Sequence, residues 1–171
     1  MSLCLANKRQ SLASALGAIA LVSACAGNDI GAVNGMVNGA SLVVRDCVAY
    51  STGSATAIAL IDVGGICGYF GSNSTPKNST ALVIYFQNSM TTGSFSVGGA
   101  SNVSADWSVS DATCTRSLTL ASSGTVTITA TSATNVTGEF DLSFGADHVS
   151  GRFNAATCSV STDAGSPPTC S

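Results

Sequence analysis

Charged side chains make up only 9 % of the 171 residues, six Lys and Arg against nine Asp and Glu, for a formal net charge of −3. A sparse, mildly acidic surface lacks the basic patch that nucleic acid or anionic lipid headgroups require, so both are excluded as electrostatic partners. Histidine and tryptophan occur once each, at His148 and Trp107. No Cys-x-x-Cys pair is present, and with one histidine the chain offers no zinc ligand set; no metal or other cofactor is expected. No Gly-x-Ser-x-Gly stretch marks a nucleophile elbow. Long apolar runs are missing as well: "ATAIALI" and "ALVIYF" have strand length, far short of the roughly 18 to 20 residues of a spanning helix.

What is present begins at the amino end. Lys8 and Arg9 precede an uncharged segment, Ser11 to Ala24, that runs into Cys25. A positive start, a short apolar stretch and small residues before a cleavage point are the three zones of a secretory signal. After Cys25 the chain is rich in Gly, Asn and Ala up to Gly39, the composition of a flexible tether. Removing residues 1–24 from the 171 leaves 147, a normal size for one domain. Losing Lys8 and Arg9 leaves four basic side chains against nine acidic ones, a mature net charge of −5.

The stretch Val22-Ser23-Ala24-Cys25 resembles the lipobox of bacterial lipoproteins, with Val22 where that family prefers leucine. The resemblance implies that Cys25 is acylated on sulfur and becomes the new amino terminus. Ala26, being other than aspartate, implies sorting to the outer membrane in a host that has one. Several acyl chains give stable anchoring because each buried methylene contributes about 0.8 kcal/mol. The chain is then exported and tethered to the membrane through its lipid. The segments "TGSFSVGG", "ATCTRS", "SSGTVTIT" and "FGADHVSGRFNAATC" are similar to those of small β-rich lipoproteins; this second resemblance implies fold class and location and brings no functional residues.

From Ser41 onward, apolar and small polar residues alternate with period two, broken by Gly, Ser, Asn and Asp clusters. Nine strands are expected: 41–50, 55–62, 81–87, 94–98, 103–110, 115–121, 124–131, 136–144 and 149–155. No helical stripe appears among them, so the fold class is all-β: an antiparallel β-sandwich, with a closed calycin-like β-barrel as the alternative. The organisation is then signal peptide 1–24, tether 25–39, β domain 40–160 and flexible tail 161–171. In the last third, Val136, Gly138, Phe140, Leu142 and Phe144 share one face, and Val149, Gly151, Phe153 and Ala155 another. A four-residue hairpin loop at 145–148 would pair Phe144 with Val149, Phe140 with Phe153, and Asp141 with Arg152.

Cysteines of an exported chain default to disulfides. Setting aside Cys4 and Cys25 leaves Cys47, Cys67, Cys114, Cys158 and Cys170, which can form two bridges in fifteen ways. The preferred pairing is Cys47 with Cys67 and Cys114 with Cys158, leaving Cys170 on the tail; Cys158 with Cys170 is the rival.

Chemistry is thin. His148 beside Asp147 would serve a hydrolase only if it stood in a cleft within reach of a serine or a carboxylate. Glu139 and Asp141 share a strand face roughly 7 Å apart and read, beside Arg152, as a charged outer surface. Glycines in "DVGGICGYFG" read as turn glycines, and the threonines of "TVTIT" as the solvent face of a strand. Trp107 is expected in the core, or, if exposed with Tyr50 or Tyr69, as a ligand contact for carbohydrate stacking. The favoured function is a non-enzymatic, lipid-anchored envelope module whose partner is an envelope protein or glycan. The alternatives are a barrel carrying an apolar ligand among Ile58, Leu60, Leu82, Ile84, Phe86 and Trp107, and a secreted hydrolase.

Overall fold

Alternation along 123–158 builds the centre of the structure. The computed structural model describes residues 30–52, 55–88, 90–160 and 169–171. The signal segment, Cys25 and most of the tail expected at 161–171 lie outside them. The elements are β1 (Gly31–Gly35), β2 (Asp46–Thr52), β3 (Ala55–Ile61), α1 (Ile66–Gly71), β4 (Ser74–Thr75), β5 (Ser79–Phe86), β6 (Gly93–Val97), β7 (Val103–Ser110), β8 (Arg116–Leu120), β9 (Ser123–Thr131), β10 (Asn135–Phe144), β11 (Asp147–Cys158) and β12 (Thr169–Cys170). All nine expected strands are among them.

One sheet runs in the order β6-β9-β10-β11-β2-β3-β5-β7-β8. Its neighbours are antiparallel except at β11 and β2, where Ala156 to Cys158 run parallel to Val48 to Tyr50. The sheet curls over itself into an open, sandwich-like half-barrel. One half supplies Ile58, Leu60, Leu82, Ile84 and Trp107 to the core, and the other Val126, Ile128, Phe140, Leu142, Val149 and Phe153. Aromatic edges join the halves: Phe86 meets Phe95 at 5.4 Å and Trp107 meets Phe144 at 6.4 Å between centroids. Among the described residues no helix is long and apolar enough to cross a membrane.

The faces of β10 and β11 are those expected, but the register differs by two residues. Phe144 pairs with Asp147, Leu142 with Val149, Phe140 with Gly151 and Gly138 with Phe153, so Glu139 rather than Asp141 faces Arg152. The connection shrinks to Gly145 and Ala146. Gly145 has φ +66°, at the first central position of a two-residue hairpin, where a II′ turn favours glycine. A shift of two preserves every side-chain direction, which is why alternation alone did not detect it. What selects this register is shape. The Phe140 ring fills the space over Gly151 and the Phe153 ring that over Gly138, where a Cβ would lie 2.6 and 2.5 Å from the respective ring tips.

Two boundaries also move. Residues 31–35, expected in the tether, form β1 on β11, and Val37 and Leu42 are buried in the core. The end of the expected tail is held too, since β12 pairs with β4. The disulfides are Cys67–Cys158 and Cys114–Cys170, not the preferred pairs nor the rival. Direction explains it: Cys47 points into the main core, whereas Cys158 belongs to the opposite face of the sheet, the face on which α1 packs with Cys67. Cys47 stays a buried free thiol, and burial, helped by the nearby Asp46 carboxylate, pushes it up to about 12.

Phe140→Ala should cost about 3 to 5 kcal/mol by opening a core cavity. Gly138→Ala should cost about 1 to 3 kcal/mol by forcing the Phe153 ring and the facing backbone of β9 apart. Chemical denaturation of both variants checks this; an unchanged midpoint for Gly138→Ala would break the interlock argument.

Candidate functional site

The chemistry-bearing residues singled out in the sequence gather on the outer face of β9, β10, β11 and β1. Cross-strand rows place Thr127, Glu139 and Arg152 side by side, and next to them Thr125, Asp141, Ser150 and Asn34. They line a shallow groove of about 510 Å³. His148 lies on β11, not at a loop tip, and its Nε2 is 2.9 Å from Asp141 Oδ1. The carboxylate that a hydrolase would need is within reach, but not the cleft: the two side chains are 53 % and 68 % exposed. Open water around such a pair screens its electrostatics.

Trp107 is 2 % exposed and packs in the core, which leaves no ring face for a sugar. The space envisaged for a barrel ligand is filled: Ile58, Leu60, Leu82, Ile84, Phe86 and Trp107 are all buried against one another, and the sheet does not close.

A more enclosed place lies on the other face of β2, β3, β5, β7 and β8. The centre of this face is apolar and small, with Val48, Ala57, Ala59, Ile61, Ala81 and Val83. Toward β7 it turns polar. Ser108 and Asp106 stand opposite Ala81 and Val83, and Ser110 opposite Ser79; all four polar residues are buried. β8 adds Arg116 opposite Ser110. A roof made of α1, β4 and β12 covers the centre. The Ile66 amide donates to Asp46 Oδ2 at 2.9 Å, fixing the start of α1 onto β2, and the Phe70 ring lies 4.4 Å from that of Tyr50.

Both disulfides staple this roof. Cys67 ties α1 to β11, and Cys170 ties β12 to the turn between β7 and β8. That turn is shaped for the purpose. Asp111 Oδ1 accepts hydrogen bonds from the Thr113 and Thr115 amides at 2.7 and 2.9 Å, leaving Cys114 at φ +61°.

Between roof and sheet is a half-enclosed cavity of about 100 Å³. Ala59, Ala81, Val83 and Ile66 form its apolar side, and Ser79, Ser108, Ser110, Tyr85 and Arg116 its polar side. Tyr85 sits close to Tyr50, Asp106 and Arg116, so the four polar groups cluster beside the cavity. Burial raises both phenols above their ordinary value and keeps them neutral donors. Burial also raises the Asp106 carboxyl, against the pull of Arg116 and the Tyr85 hydroxyl. Asp106 Oδ1 has no hydrogen-bond partner, although nearly every buried polar atom in a folded protein finds one.

Such an arrangement can bind; it presents hydroxyl and guanidinium groups beside an apolar floor. Among the described residues no group of three or more His, Cys, Asp and Glu is placed to hold a metal ion. Sequence reading did not find this site, because its walls come from six strands and a six-residue helix far apart in the chain. The one available signal was "ADWSVS", where polar residues occupy the alternate positions of a strand between two buried neighbours. No family model, curated protein or solved structure matches the chain.

Because the folded state holds the Asp106 proton more tightly than the unfolded state, stability contributed by this group falls as pH rises from about 3.8 through its raised folded value. Asp106→Asn should flatten that decline and melt no lower than the parent at neutral pH. Thermal melts across the acid range check it; a parallel pH profile in the variant would contradict the desolvation argument.

Proposed function

We propose that the protein is a non-enzymatic binding module of the cell envelope, tethered by lipid on Cys25, whose site is the roofed cavity beneath α1. The observation that carries this is the placement of the disulfides: both are spent on holding the roof over one polar patch. A six-residue helix is too short to be stable alone, since isolated helices below about 12 residues are marginal. Stapling it over buried Ser79, Ser108, Ser110 and Asp106, where alanine or valine would pack at lower desolvation cost, favours a site over a merely filled core. Disulfides also fit an exported chain, in keeping with the signal-like zones before Cys25 and the small residues that lead into it. The partner on this reading is an envelope glycan or the exposed end of an envelope protein, met outside the cytoplasm and close to the membrane.

Two experiments separate the parts of this proposal. Cys25→Ser should move the protein from the membrane fraction to the soluble exported fraction; retention with membranes would remove the lipid tether. Ala81→Leu, which fills the cavity, should lower retention of the purified protein on isolated envelope material while leaving both disulfides formed. Equal retention would show that the cavity is not the binding site.

A further inference from the structure

One edge of the sheet is β8. At its two ends the Ala121 amide donates to the Ala105 carbonyl at 2.9 Å, and the Thr115 carbonyl accepts from the Asp111 amide at 3.1 Å, both across to the β7 side. Such bonds fall on alternate residues of an antiparallel strand, so Ser117 and Thr119 also turn their amides and carbonyls to β7. Arg116, Leu118 and Leu120 turn theirs outward, and among the described residues no backbone group answers them. Natural edges are commonly blunted by lysine, proline or a bulge. The sequence of β8, Arg-Ser-Leu-Thr-Leu, has neither residue, and its register against β7 is unbroken. Leu118 and Leu120 stand opposite Ser108 and Asp106 on the roof side of the sheet, 56 % and 70 % exposed. Thr119, opposite Trp107 on the core side, accepts from Asn38 Nδ2 at 3.0 Å, so the loop after β1 braces the strand from beneath.

We propose that β8 pairs with β8 of a second copy, antiparallel about a two-fold axis through Leu118. In that register Leu118 faces Leu118 of the second copy and Arg116 faces its Leu120, so every outward amide of one strand meets an outward carbonyl of the other. Centring the axis on Ser117 or Thr119 would instead leave Leu120 or Arg116 facing residues beyond the strand. On the roof side the leucines of both copies join into one apolar stripe, and the two Arg116 lie at its opposite ends, which keeps like charges apart. The strand is thus complementary to itself in hydrogen bonds, apolar surface and charge, and a two-fold pairing uses up this edge in both copies without growing into a filament. It also sets Leu120 of the second copy beside Arg116, which lines the roofed cavity. A single strand pair falls short of the roughly 800 Å² per partner of a stable complex. Pairing is therefore weak in dilute solution and grows as copies are concentrated.

The test is sedimentation equilibrium and amide hydrogen exchange on the full chain with both disulfides formed, from about 10 μM to about 1 mM. The mass should move from monomer toward dimer and no further. Exchange at the Arg116, Leu118 and Leu120 amides should slow at least about tenfold over that range, while Ser117 and Thr119, already bonded to β7, stay as they are. Leu118→Pro removes an outward amide that β8 does not use within its own sheet, so the fold should survive and dimerisation weaken at least about tenfold. Should that variant unfold, Leu118→Lys, which leaves the backbone intact, should show the same weakening. A monomer at every concentration, growth beyond the dimer, or a dimer that leaves the three amides unprotected or ignores Leu118→Lys would each overturn the proposal. Protection of the three amides only on adding phosphatidylethanolamine and phosphatidylglycerol vesicles, with the protein still monomeric, would overturn it in favour of a lipid contact.

Discussion

The structure depends on how β11 is held. This one strand pairs with β10 along its length on one side and with β1 and then β2 on the other, so it joins the two halves of the sheet. Its register is fixed by two rings lying over two glycines, Phe140 over Gly151 and Phe153 over Gly138. Ring and glycine occupy complementary space, so a slip by two would set ring beside ring and leave a void beside each glycine. Packing density in a protein interior does not tolerate either change cheaply. From that register follow the position of Cys158, hence the bridge to α1, and hence the roof.

The second face of the sheet is built on a different balance. Its apolar cluster is small, and alanine at 57, 59 and 81 contributes little area for the hydrophobic effect to act upon. The short helix above it is preceded by a left-handed Gly65 that offers no capping side chain, and Asp46 on β2 accepts from its first amide instead. Covalent closure compensates for thin packing. Cross-links that close loops of 91 and 56 residues remove several kcal/mol of freedom from the unfolded chain, on the order of 4 kcal/mol each in the chain-entropy account. The roof can thus leave a cavity beneath it without collapsing onto the polar residues.

Much of the fold was legible because burial has a period. Val126, Ile128, Phe140, Leu142, Val149 and Phe153 could be assigned to the interior from alternation alone. Turn length could not, since a two-residue and a four-residue connection at Gly145 give the same faces. The first strand was hidden by composition: Gly31 and Gly35 look like linker residues, yet both have positive φ and lie against the backbone of β11, where a Cβ on Gly31 would sit 2.9 Å from the Arg152 carbonyl oxygen. Disulfide pairing depends on which face each cysteine joins, and Cys47 lies on the core side while Cys158 lies on the side that α1 covers. The roofed cavity was the least legible part, because Tyr50, Tyr85, Asp106 and Arg116 meet only through cross-strand neighbours.

The early start of β1 also changes the geometry of the tether. On the lipid-anchored reading, only residues 26–30 separate Cys25 from the first strand. Fully extended, five residues span about 17 Å, comparable to half the thickness of a bilayer's hydrocarbon core. The domain is then held against the headgroup layer instead of being lifted clear of it. A surface that close to lipid benefits from low charge, because neither screened repulsion nor attraction then fixes its orientation. On the tethered binding reading proposed above, a site roofed by disulfides would keep its shape there, where a module on a short leash would have few orientations from which to meet a ligand.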